Sequence, residues 1–596
     1  MKPQINNSNA KNKVAEQIFT PQYGVRLDEG LFKRVFDNNM RYLKSLSVES
    51  VLYWFRRRIG EDAPGTPYTN SHFEDNLKGQ TAFLMLMGAG NSLRWVRDEE
   101  LSAIIAEIVD EIYRCRDKDG YCMAVEEEYF TTWEYPHYVR IWMTYGLYAA
   151  YLAGNERAGE LLADWQDWFT ACGDLPVLKH TNLAFQGVVC DPYIYNTPFG
   201  KYRDIENTIK YYEEPWRLAQ YISREREAVY TRRQPGYEPH PHGTEIEAFE
   251  GYLDLYKATG NHYYMRALKE FYRFYKEDWQ HIGGGIVMCE FETSKPGCAW
   301  LSPPRSYNEL CCSAFWMWLN QRLHRLYPME ENYVSEIERT LYNIAIANQD
   351  EDEGIRYFAW MQGEHSKGGI VHCCCGVGTR IFGSLPEYLY SINNDEIYVD
   401  IYAASTIEWQ REEGIVTVQT ITDMPYSDKV RIKVSCLKQQ KFAVNLRIPS
   451  WVDGNVSVKL YSITDGASDY ISCAPGEYAK FDGIWQEAEL EFTLPFKWKQ
   501  TQYSGVEKID GFERYGLEYG PLLMAAKYVG VDEVTDKESY LELFKLDNDP
   551  KEYGKWLIPA GKPLSFGIEG NADVSYKPYF ELAAGDWFAC YPLWKS

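Results

Sequence analysis

The chain has no run of eighteen or more apolar residues among its 596, so nothing in it reads as a membrane-crossing helix. Its opening residues, Met1-Lys2-Pro3-Gln4-Ile5-Asn6-Asn7-Ser8, lack the apolar core of a secretory signal, and a cytoplasmic location is the resulting expectation. Positive charge is scarce. With 62 Lys and Arg against 86 Asp and Glu, the formal net charge of −24 repels phosphate backbones and anionic lipid. No segment carries a basic stripe, so neither a nucleic-acid partner nor a membrane surface is predicted. Cys-x-x-Cys pairs are missing as well, which removes the common zinc-ribbon and thiol-redox signatures. The fourteen cysteines show no regular spacing, as expected where thiols stay reduced. Gly376-Val377-Gly378 lacks the third glycine and the βαβ setting of a dinucleotide fingerprint.

Aromatic side chains, by contrast, are abundant: 19 Trp, 48 Tyr and 26 Phe, enough to fill a core and still offer flat faces to sugar rings. The length predicts several domains. Up to Tyr390 the pattern is helical. Leu43, Leu46, Val51, Leu52 and Phe55 recur at helical spacing, with Arg56-Arg57-Arg58 near the end, where the helix dipole favours cations. Three later apolar runs end at Gly90-Asn91, Gly154-Asn155 and Gly260-Asn261, each glycine placed for a left-handed C-cap. Recurrent helices with matching ends predict helical hairpins arranged as an α/α toroid. Beyond Tyr390 the period becomes two, in Ile397–Tyr402, Val416–Thr420, Val430–Val434 and Phe442–Ile448, bounded by Pro425, Pro449 and Asp453-Gly454. Helices first and strands afterwards imply segregated domains. The expected division is a helical domain over 1–390, an antiparallel β-sandwich over 391–505 and a small β-rich domain over 506–596, opened near Gly516–Leu522.

Two clusters can carry chemistry. Glu309-Leu310-Cys311-Cys312 precedes an apolar helical run, and Cys373-Cys374-Cys375 leads into Gly376-Val377-Gly378, glycines that would let the backbone turn sharply. Adjacent cysteines bridge each other only with strain. Glu309, Cys311, Cys373 and Cys374 would supply one carboxylate and three thiolates, a donor set zinc accepts. Spacing alone leaves buried free thiols as an equal reading. After Gly283-Gly284-Gly285, Glu290 and Glu292 share one face of a strand and either could reach the site. His240-Pro241-His242 places two histidines ahead of a helix, and His137 follows Tyr135-Pro136; a buried, hydrogen-bonded ring is the plain reading of His137.

These residues resemble glycoside hydrolase family 127, the β-L-arabinofuranosidases. The similarity rests on Glu309-x-Cys311 followed by Cys373-Cys374-x-Gly376-x-Gly378. It extends through Asn39, Tyr42-Leu43 and Phe55-Arg56, Leu77-Lys78-Gly79-Gln80, Gly251–Tyr256 with Thr259-Gly260, and Glu338-Arg339-Thr340-Leu341-Tyr342-Asn343. Asp423-Met424-Pro425-Tyr426, Leu446–Trp451 and Gly520-Pro521-Leu522 continue it in the β region. The resemblance implies an (α/α)6 barrel followed by β-sandwich domains. It also implies a zinc held by Glu309, Cys311, Cys373 and Cys374, with Cys373 as the nucleophile of a retaining reaction. Glu290 is the favoured acid/base, with Glu292 the other candidate, and His242, Tyr342, Gln80 and His137 are expected near the sugar. Tyr342 has core packing as an equal reading.

The chain departs from the family pattern at Gln80, where a histidine is expected, at Cys375–Gly378, and around Glu290. These changes surround the sugar pocket, so the sugar need not be β-L-arabinofuranose. The expected partner is an oligosaccharide or glycoside substrate, with a homodimer possible. A sugar lyase or epimerase on the same toroid, or a carbohydrate-binding protein with a structural zinc, are the competing readings.

Overall fold

The computed structural model describes residues 11–68, 76–179, 185–212, 215–223, 243–288, 297–302, 306–351, 354–369, 373–464, 466–530 and 540–595. Its main helices are α1 (Leu31–Ser45), α2 (Val48–Arg58), α3 (Gln80–Leu93), α4 (Glu99–Cys115), α5 (Tyr135–Leu152), α6 (Glu156–Ala171) and α7 (Cys190–Tyr195). They continue as α8 (Tyr202–Tyr212), α9 (Gly243–Thr259), α10 (His262–Asp278), α11 (Leu310–Leu326), α12 (Glu331–Thr340) and α13 (Cys373–Gly383). Helices of two kinds alternate. α3 buries every residue from Gln80 to Ser92 and α11 every residue from Leu310 to His324, so both are enclosed on all sides. α4 buries one stripe, Leu101, Ile105, Ile108, Val109 and Ile112, and turns the opposite face outward.

Packing among the enclosed helices closes a circuit. α3 packs on α5, α5 on α7 and the turn before it, these on α9, α9 on α11, α11 on α13, and α13 returns to α3. Small residues set the close approaches. A Cβ at Gly376 would lie 2.6 Å from Leu84 Cβ, one at Gly88 would lie 2.1 Å from Thr379 Oγ1, and one at Gly383 would lie 2.6 Å from Ser92 Oγ. Those pairs advance together along α3 and α13, so the two helices run side by side in the same direction. The contacts of Trp142 with Phe315 and of Tyr145 with Trp318 give α5 and α11 the same sense.

Two of the three Gly-Asn endings serve two helices each. Gly154 (φ 103°) and Gly260 (φ 70°) take the left-handed conformation, and Asn155 and Asn261 then accept hydrogen bonds from Ala158 N–H and Tyr263 N–H at the start of the next helix. Gly90 differs. It lies inside α3, where a Cβ would stand 2.4 Å from the Ala149 carbonyl carbon, so its smallness serves helix contact and not a cap. The opening helix is likewise two: Ser47 interrupts it and accepts from Ser50 N–H to start α2.

The chain then turns to β structure. A nine-stranded sheet has the main order Val25–Leu27, Ser405–Arg411, Gly414–Thr422, Lys429–Ile448, Glu477–Thr493, Val456–Ser462, Ser468–Cys473. The two runs Val430–Val434 and Phe442–Ile448 belong to one strand, whose register shifts between Ser435 and Gln440 around a 90% exposed Leu437. A ten-stranded sheet is built on Phe512–Tyr519 and Leu522–Tyr528, with Trp498–Gln502 already paired to the first of them. Each sheet recruits a strand from the helical part. Val25–Leu27 pairs with Ser405–Ile407, and Gln362–Glu364 pairs with Trp587–Ala589.

Side chains secure the same junction. Arg447, fully buried, binds Glu331 and Glu338 on α12 at 2.8 Å each, and Trp451 Nε1 donates to Glu338 at 2.7 Å. Asn343 donates to Gly283 O and Pro521 O and accepts from Leu523 N–H. Three separated sequence motifs, Glu338–Asn343, Leu446–Trp451 and Gly520–Leu522, therefore meet at one helix–sheet contact.

Candidate active site

Glu309 ends a short strand, Tyr307–Glu309, that pairs with Val287–Met288 and Phe358–Ala359, and it stands at the residue before α11. Cys311 follows in the first turn of that helix. Cys373 and Cys374 open α13. Gly376 and Gly378 lie within α13 and not in a sharp turn; their lack of a side chain admits Leu84 and Ile355. All three sulfurs thus sit at helix N-termini, where the backbone favours negative charge. The ligand atoms of Glu309, Cys311, Cys373 and Cys374 lie within 4.8 Å of one another. Cys374 Sγ is 3.0 Å from Cys311 Sγ and 3.4 Å from Glu309 Oε1, too far for a disulfide. The other carboxylate oxygen accepts from Cys312 Sγ at 2.8 Å.

Burial divides the four. Glu309, Cys311 and Cys374 are buried, while Cys373 is partly exposed. Burial, with neighbouring sulfur, pushes the Cys311 and Cys374 thiols well above their ordinary range. Thiols so placed ionise only where a cation offsets the charge. Tetrahedral zinc–thiolate bonds of about 2.3 Å put ligand atoms about 3.8 Å apart, which the observed spacing brackets. In donor set and spacing the cluster fits a metal ion.

Tyr357 Oη lies 3.2 Å from Cys373 Sγ; burial, then Cys373 and Glu309 beside it, keep this hydroxyl protonated and able to donate. Tyr138, in the first turn of α5, is held protonated by burial and by the same sulfurs. α9 begins against the cluster, since a Cβ at Gly243 would stand 2.4 Å from Cys312 Sγ. Cys375 points elsewhere, toward the carbonyl oxygens of Ile355 and Gly369.

Gln80, 4% exposed, starts α3, and its Oε1 is buried with no hydrogen-bond partner. His137 lies in the first turn of α5 with Nε2 2.9 Å from Phe130 O and Nδ1 unpartnered; burial, with Arg140, lowers it to about 3. Glu247, one turn into α9, is fully buried with both oxygens unpartnered, and burial, then Glu250, push its carboxyl well above the usual range. Sequence reasoning missed Glu247; its only signal was a carboxylate on an apolar helix face. The first turns of the enclosed helices therefore gather both the metal-type donors and several orphaned polar groups. Tyr342 instead packs between Phe32 and Phe580, at ring distances of 5.7 and 6.1 Å. Glu290, Glu292, His240 and His242 lie outside the described residues.

Comparison with known proteins bears on this arrangement. The family model "Beta-L-arabinofuranosidase, GH127 catalytic domain" matches residues 24–387, and "Beta-L-arabinofuranosidase, GH127 middle domain" matches residues 396–496. Among solved structures, a GH127 β-L-arabinofuranosidase from Geobacillus stearothermophilus T6 is 17% identical with a TM-score of 0.72, covering 96% of this chain and all of that one. A GH127 β-arabinofuranosidase is 17% identical with a TM-score of 0.70 over 98% of both chains. A chain described as a glycoside hydrolase is 15% identical, with a TM-score of 0.71 over 99% of both. No curated protein matches the sequence.

Proposed function

The chain belongs to the GH127 β-L-arabinofuranosidase family and is a glycoside hydrolase, and from that premise we propose a retaining enzyme whose nucleophile is Cys373. One observation carries this reading: of the four clustered donors, Cys373 alone is partly exposed, so its sulfur is the one a substrate can reach. Glu309, Cys311, Cys373 and Cys374 would hold zinc, which when bound offsets their charge and keeps sulfur ionised at neutral pH.

In the first step the Cys373 sulfur forms a bond to the anomeric carbon as the glycosidic bond breaks, and Glu290 (or Glu292) gives its proton to the leaving oxygen. In the second, the same carboxylate takes a proton from water, whose oxygen displaces the sulfur and releases the sugar with its original anomeric configuration. Tyr357 steadies the sulfur between these steps by its hydroxyl. Gln80, His137 and Glu247 carry buried, unpartnered polar atoms at the same helix ends. The closed circuit of enclosed helices, with an outward-facing helix between successive members from α3 to α13, supports an (α/α)6 barrel as the frame. The sugar is L-arabinofuranose or a related furanose at the end of an oligosaccharide.

A panel of nitrophenyl furanosides and pyranosides tests the reading, with product configuration followed by NMR and zinc counted by elemental analysis. Furanoside turnover with retention and about one zinc per chain is expected. Inversion, or full turnover by a metal-free protein, contradicts it.

A further inference from the structure

The enclosed helices whose first turns meet at the candidate active site also meet at their far ends, around a separate cavity of about 130 Å3. Asn91 of α3, Tyr148 of α5, Lys257 of α9, Arg325 of α11 and Arg380 of α13 all border it. These are C-terminal turns, where backbone carbonyls favour cations. The space is several times what one water needs.

Most of the charge here is internally matched. Lys257 binds Glu16 at 2.7 Å and Asp254 at 2.6 Å. Arg322 takes Asp254, and Glu250 beneath it at 2.9 Å. Arg94 binds Glu387 at 2.7 Å, leaving Arg325 a looser 3.5 Å contact with the already engaged Glu16. Arg380 is different. Its guanidinium stacks 3.7 Å from the Trp318 ring centroid and 4.3 Å from that of Tyr145, an arrangement that fixes the group without neutralising it. Its Nη1 is buried without a hydrogen-bond partner, and among the described residues Glu247 and Glu250 act on it only from beyond ion-pair distance. Among the described residues, five cationic side chains line the cavity against three carboxylates, with Glu250 and the helix carbonyl ends offsetting part of the difference, so Arg380 is the cation without an ion-pair partner.

We propose that this cavity is a binding site for a small oxyanion, a phosphate or a carboxylate, received by Arg380 with Arg325 on the same cavity lining. A planar guanidinium with a free edge matches the paired oxygens of either group. The site is separate from the candidate metal cluster, and its occupancy does not depend on the hydrolytic reading.

Thermal unfolding of the full chain in inorganic phosphate, in acetate and in sodium chloride of equal ionic strength tests this, with calorimetric titration of whichever anion acts. A saturable stabilisation by phosphate, acetate or both, absent in chloride, is expected; the stronger arm identifies the oxyanion. Arg380→Met removes the guanidinium and its charge while keeping an apolar side chain beside the two rings, and should weaken binding roughly tenfold or more. Arg325→Met removes a cation with one long contact and should weaken it several-fold, which keeps the test intact if the Arg380 variant does not fold. Equal effects of all three salts, or saturable binding unchanged in the foldable variants, would overturn the proposal.

Discussion

Cys373 differs from Cys311 and Cys374 in exposure, not in chemistry, and its proposed role rests on that difference. Replacing it with serine leaves the packing in place and removes the sulfur. Activity should fall by at least about a thousandfold, with some loss of bound zinc because Cys373 is also one of the four residues proposed to hold it; steady-state kinetics and elemental analysis check both. Cys374→Ala should lose more of the bound zinc and lower the unfolding midpoint further, because Cys374 is enclosed beside Cys311 and Glu309. A chelator should reproduce that loss in the parent protein, read by elemental analysis and thermal unfolding. At this scale much was legible. Two clusters, a carboxylate with thiols and thiols beside glycines, already pointed to the four residues that the fold brings together. Glu247 was not legible, because nothing local distinguishes a buried carboxyl from a solvated one.

The helices show where periodicity stops informing. Apolar spacing announces a helix but not its neighbours, so Gly90, Gly376 and Gly378 read as punctuation when they are points of close contact. Gly376→Ala should cost about 1 to 3 kcal/mol in chemical denaturation, through contact with Leu84. Glu336 on α12 offers a pH test. Burial works against its charge, but Arg339 and Lys276, with hydrogen bonds from Gln280 and Trp316, hold the carboxyl down to about 2. A carboxyl lowered on folding stabilises the protein above its unfolded pKa and loses that contribution as pH falls through the folded one. Glu336→Gln should therefore cost about 3 kcal/mol at neutral pH, and the gap to the parent should shrink between about pH 4.5 and pH 2. A gap independent of pH would point to lost packing alone.

Across the whole molecule, the order of helices then strands was visible in the change of period near residue 390. The crossings were not. Val25–Leu27 and Gln362–Glu364 are too short to announce themselves, yet each joins a sheet formed hundreds of residues away in sequence. Arg447 holds the same junction through Glu331 and Glu338. Arg447→Met leaves two buried carboxylates unpaired and should destabilise by about 3 to 5 kcal/mol in denaturant unfolding. A sulfur at the start of α13 that bonds to sugar is read directly by mass spectrometry. With an activated furanoside under rapid acid quench, a mass gain of one glycosyl residue is predicted on the intact protein, mapped by peptide analysis to Cys373 and absent from Cys373→Ser. Efficient turnover with no adduct at Cys373, or an adduct on a carboxylate, would contradict it.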